Sequence, residues 1–76
     1  MTYAGMIKAI KAGNITEDLE NALIEFYWEF DPYGIMDNYG HLNDNGVRSA
    51  LLSDILYVLH HDPETIIEDI KSSMEV

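Results

Sequence analysis

The sequence predicts an all-α protein, a small four-helix bundle with a long ordered loop between its second and third helices. Two observations lead there. Apolar residues recur at helical spacing in four separate stretches, and each stretch is bounded by residue types that start or stop helices. The connections around residues 13–14 and 61–62 are only a few residues long, which favours antiparallel neighbours.

Tyr3, Met6, Ile7 and Ile10 share one helix face, and this predicts a first helix over residues 3–12. Thr2 stands where an N-cap is needed, and Gly13 where a left-handed residue ends the helix. Asn14 followed by Glu17 has the form of a capping box, and Leu19, Ala22, Leu23, Phe26 and Phe30 continue at helical period, so the second helix is expected over 15–30. Pro32 should stop it, because the residue before a proline is pushed out of the helical region. Asp31-Pro32-Tyr33-Gly34 has the residue order of a type I turn.

Val47, Leu51, Leu52, Ile55, Leu56 and Leu59 predict a third helix over 46–60, with Asn43, Asp44 or Asn45 to cap it and His60 and His61 in its last turn. Asp62-Pro63 reads as an N-cap followed by proline at the first helical position, where the missing N–H costs nothing. Ile66, Ile67, Ile70 and Met74 then mark a fourth amphipathic helix. The segment 31–45 lacks periodicity and is long for a compact domain. Its Tyr33, Ile35, Met36, Tyr39 and Leu42 are too apolar for a loose linker, so it should pack over the bundle and include a short helical turn.

Composition narrows the function classes. The chain has 76 residues, of which 14 are Asp or Glu and 4 are Lys or Arg, giving a net charge of −10, and it has no cysteine. One acidic helical domain over 1–76 is expected, and a chain this short buries only about 60% of its unfolded surface, which leaves no room for a deep substrate cleft. An enzyme is therefore not expected. Five tyrosines, one tryptophan and a 47% hydrophobic content separate the chain from disordered acidic tails. The absence of cysteine suits a reducing compartment. The opening MTYAGMIKAIKAG has no leader pattern, and no apolar run approaches the ~20 residues of a membrane span, so a cytoplasmic protein is expected. At −10 the chain is repelled by nucleic acid and anionic lipid, so it should bind neither directly, and its natural partner is a basic protein surface.

No chemical motif survives inspection. A calcium loop with Gly46 at its sixth position would start at His41 and end at Leu52, and one with Gly40 there would start at Ile35 and end at Gly46; both fail the ligand pattern. His41, His60 and His61 include no i, i+4 pair, so zinc is not expected, and protonated His60 or His61 at a helix C-terminus has a sufficient reason in the macrodipole. Ser49 and Ser53 lack a nucleophile elbow, and no glycine-rich phosphate loop precedes a helix. With so many carboxylates, a close acidic pair carries no information about acid–base catalysis. No catalytic residue, metal or cofactor is assigned.

The second helix is the informative element. At 100° per residue Leu19, Ala22, Leu23, Phe26 and Phe30 fall on one side, which leaves Ile24, Tyr27 and Trp28 outside the stripe among Glu17, Asp18, Glu20, Glu25 and Glu29. In the third helix Val47, Leu51 and Val58 lie off the stripe of Leu52, Ile55, Leu56 and Leu59. Glu17, Glu20, Ile24, Glu25, Tyr27, Trp28, Glu29, Asp31 and Tyr33 are accordingly the candidate partner-binding residues, aromatic anchors inside a charged rim.

Two functions compete. The first is a small acidic inhibitor that binds and blocks a basic, nucleic-acid-binding protein, its carboxylates standing where that target accepts phosphates. The second is an interaction or regulatory module that dimerises through apolar surfaces of the second and third helices. In size, charge and helical class the chain resembles the small acidic inhibitors carried by phages and mobile elements, and the colicin nuclease immunity proteins. The likeness rests on bulk properties, and no residue role is carried over from it.

Overall fold

Thr2 opens the first helix by accepting the N–H of Gly5 on its hydroxyl at 3.0 Å, and α1 runs Tyr3–Ala12. Gly13 closes it at φ 71°, with its own N–H on the Ile10 carbonyl and that of Asn14 on the Ala9 carbonyl, the paired bonds of a Schellman motif. The computed structural model describes residues 1–31 and 34–74, with Ile35 described by its backbone alone. Over those residues the chain is helical, in the order α1, α2 (Glu17–Phe30), a 3-10 turn (Ile35–Tyr39), α3 (Asp44–His61) and α4 (Pro63–Met74).

The start of α2 departs from expectation. Thr16, not Asn14, is the cap, its hydroxyl accepting the Leu19 N–H at 3.3 Å. Asn14 is already committed to the end of α1, and α2 begins two residues later than the Asn14–Glu17 capping box implied. Thr16→Ala should therefore cost about 1 kcal/mol, lowering the melting temperature by ~4–8 °C, while Asn14→Ala should leave it nearly unchanged. Thermal melts of the two variants check this.

Asp31 ends α2 in the left-handed region at φ 34°, which a short polar side chain tolerates, with its N–H on the Tyr27 carbonyl. The stop assigned to Pro32 and the turn assigned to Asp31-Pro32-Tyr33-Gly34 involve Pro32 and Tyr33, which lie outside the described residues. The short helical turn expected within the 31–45 segment is the 3-10 turn, and α3 starts at Asp44, two residues before the expected 46. Asp31 Oδ2 accepts the Met36 N–H at 3.2 Å, and the Tyr39 hydroxyl donates to Asp54 on α3. Met36 and Tyr39 pack on the core. Burial and the Asp54 carboxylate push the Tyr39 phenol up to about 12, so it remains a protonated donor at any physiological pH.

Of the three residues expected to cap α3, Asn43 serves, accepting the Gly46 N–H at 2.8 Å. The switch from α3 to α4 takes one residue: Asp62 donates its N–H to the Val58 carbonyl, and its carboxylate accepts the Thr65 hydroxyl at 2.7 Å while Pro63 begins α4.

Consecutive helices pack on one another, and α4 returns to pack on α1. The core they enclose holds Met6 and Ile10 from α1, Leu19, Leu23, Ile24, Phe26 and Tyr27 from α2, Leu51 and Ile55 from α3, and Ile66, Ile67 and Ile70 from α4. Phe26 is its aromatic hub, edge-on to Tyr3 and Tyr27 and stacked on Phe30 at 5.1 Å. No helix among the described residues is long and apolar enough to cross a membrane.

The inward face of α3 is rotated from the expected one: Ile55 stays inside and Leu52 and Leu59 still pack on the core, but Val47 and Leu51 take the centre. Val47, Leu51 and Ile55 are buried, whereas Leu52, Leu56 and Leu59 are only half-buried. Apolar residues occur on both sides of this helix, so periodicity alone could not say which side turns inward.

Candidate functional site

The exposed side of α2 is built by helical spacing. Asp18, Asn21, Glu25 and Glu29 stand at i, i+3, i+7 and i+11, within one narrow arc, and all four are exposed. Eleven residues of helix at 1.5 Å rise make this row about 16 Å long. Met1 and Ala22 line the same surface groove beside Asp18, Asn21 and Glu25. Glu17 is exposed on the neighbouring flank, and Glu20 is half-buried.

These acids differ in what the protein itself gives them. Glu17, Asp18 and Glu20 lie in the first turn of α2, where the helix dipole favours negative charge. Glu25 and Glu29 have no such support. They are one turn apart and repel, and Glu29 sits in the last turn, where the dipole opposes it and α2 itself has no basic residue. Among the described residues none of Glu17, Asp18, Glu20, Glu25 and Glu29 forms an ion pair; the Lys71–Glu68 pair, at 3.9 Å, joins exposed neighbours on α4.

Beside Glu25 and Glu29 stands Trp28, half-buried against the core, with the Arg48 guanidinium of α3 over its ring at 5.4 Å from the centroid. Glu25, Trp28, Glu29 and Arg48 line one shallow groove. Arg48 was not among the residues the sequence marked. Spacing within a helix does not report which side chain of a neighbouring helix crosses over it, so no signal in the sequence points to that pairing.

Two of the candidate anchors are core residues. Ile24 is 4% exposed and Tyr27 5%, and the Tyr27 hydroxyl donates to Asp69 Oδ2 of α4 at 2.7 Å. Their placement outside the apolar stripe is corrected here. Because α2 packs on both α1 and α3, its buried arc is wider than a single stripe. The apolar surplus ascribed to α2 shrinks to Trp28, which removes most of that helix's share in an apolar dimer surface. Asp31 is half-buried and holds the 3-10 turn through Met36. Tyr33 lies outside the described residues. The structure thus gathers Glu25, Trp28 and Glu29 into one groove with Asp18 in line beyond them, leaves Glu17 exposed and Glu20 half-buried outside that row, and withdraws Ile24 and Tyr27.

Among the described residues no group of three or more His, Asp or Glu side chains is placed to hold a metal ion. No protein-family model, curated protein or solved structure matches the chain.

Proposed function

We propose that this protein is a small, non-enzymatic acidic inhibitor that docks the outer face of α2 on a basic, nucleic-acid-binding protein and blocks it by occupying the phosphate-binding surface. It would act in the cytoplasm, on a scaffold in which the four helices close into a bundle; the return of α4 onto α1 supports that closure. The observation that carries the function is the pair Glu25 and Glu29. α2 gains nothing from two repelling carboxylates of which Glu29 stands in its negative last turn, and both sit exposed in one arc that lines a groove with the half-buried Trp28.

An oppositely charged partner offsets that cost. Rim charges accelerate encounter with such a surface, and Trp28 beside them supplies apolar area that gains by desolvation. Asp18 prolongs the row, so the contact set proposed is Asp18, Glu25, Trp28 and Glu29. Capture from a cytosolic extract on immobilised protein, with and without excess duplex DNA, tests the reading. A retained basic protein that free DNA displaces is expected, and a retained protein indifferent to DNA contradicts the mimicry.

A further inference from the structure

We infer that the groove lined by Glu25, Trp28, Glu29 and Arg48 reads arginine: it takes a guanidinium of the basic partner onto the Trp28 ring, in the place that the protein's own Arg48 holds when the partner is absent. The inference rests on the docking of α2 proposed above and names the side chain that fits there.

The first observation is the ring contact. Trp28 is the chain's one tryptophan and Arg48 its one arginine, and they meet between α2 and α3 with the guanidinium 5.4 Å from the ring centroid. This ring face already accepts a guanidinium. The second observation is charge. Arg48 forms no ion pair with Glu25 or Glu29, although all three line one groove, so two carboxylates stand against a single cation and an excess of negative charge remains for a cation from outside. Arg48 is also easily displaced. Its guanidinium is exposed, and no side-chain hydrogen bond or ion pair fixes it, so rotation of its own side chain frees the ring.

Arginine suits this groove better than lysine. A guanidinium is planar and weakly hydrated, so it can lie on an indole face while its N–H fork donates to a carboxylate beside that face. An ammonium is a compact, strongly hydrated charge with no plane to stack, and it gains less from the ring.

Hexa-arginine and hexa-lysine carry equal charge, so comparing them separates this site from the general attraction of cations to a chain at −10. Each is titrated into the whole protein at physiological salt, and binding is read from Trp28 emission, which no second tryptophan masks. Hexa-arginine should bind at least about threefold tighter than hexa-lysine. Trp28→Leu should bind both peptides equally, by a readout of heat since the fluorophore is gone, with its helical spectrum unchanged. Arg48→Lys keeps the net charge and leaves Trp28 and the core untouched, so it remains a test if the first variant fails to fold. It should bind hexa-arginine about two- to threefold tighter than the parent does, with hexa-lysine unchanged, because the ring is vacated. Equal affinity of the parent for the two peptides, a preference that survives in Trp28→Leu, or an Arg48→Lys protein indistinguishable from the parent overturns the inference. The inhibitor reading fails separately: a recovered target indifferent to DNA removes the mimicry and leaves the arginine preference standing, whereas a target that yields its duplex to a protein without that preference does the reverse.

Discussion

Tyr27→Ala should lower stability by about 3–5 kcal/mol, the cost of deleting a buried aromatic ring. A domain of this length holds roughly 4–11 kcal/mol in total, so the variant should melt more than about 12 °C below the parent and be partly unfolded at 37 °C. The ring is 5% exposed, sits edge-on to Phe26 at 4.9 Å, and carries the hydroxyl that ties α2 to Asp69 on α4. Tyr27→Phe should cost less, about 1–2 kcal/mol, since it keeps the ring and removes that hydroxyl alone. Leu23→Ala, at a position with no exposure, should fall in the ~2–5 kcal/mol range of core truncations. Chemical denaturation of the three variants checks the set. A Tyr27→Ala protein as stable as the parent would return the ring to the surface, where its spacing had placed it.

The second large effect concerns association. Glu25→Gln with Glu29→Gln keeps side-chain size and helix propensity, so the fold should persist and gain a few tenths of a kcal/mol from relief of repulsion and of the unfavourable dipole contact. Association with a basic target should slow by about tenfold at low salt, with a shallower dependence on ionic strength, because steering by rim charge acts on the encounter rate. Glu17→Gln should have a smaller effect on binding and should cost stability, since Glu17 favours the dipole at the start of α2. Stopped-flow association over a salt series separates the two roles. Equal rates for parent and double variant at every salt concentration would leave Glu25 and Glu29 without a part in binding.

The helices were legible in the sequence because their punctuation is local. Thr2 and Gly13 act through backbone groups a few residues away, and Pro63 opens α4 as its type implies, while the Asp62 carboxylate takes the Thr65 hydroxyl instead of a backbone N–H. The cap of α2 was misplaced because Asn14 and Thr16 both have capping chemistry, and the choice was made by Asn14 N–H closing α1. The candidate site was legible in charge but not in burial. Angular position showed that Glu25 and Glu29 face outward, yet whether Ile24 and Tyr27 do so depends on how many neighbours α2 has. In α3 the same ambiguity turned the inward face by part of a turn, since Leu51 and Leu52 are equally apolar and only the packing against α2 and α4 distinguishes them. Arg48 over Trp28 is a tertiary pairing between two helices, and no periodicity encodes it.

The proposal that α2 stands in for nucleic acid is tested most directly by competition on a target recovered from extract. The target is bound to a fluorescent duplex, and the protein is titrated in while duplex release and the formation of any ternary complex are both followed. Mutually exclusive binding is expected, with every duplex released for each protein bound, and with the Glu25→Gln, Glu29→Gln variant needing a higher concentration to achieve it. A stable complex holding target, duplex and this protein together would contradict the proposal.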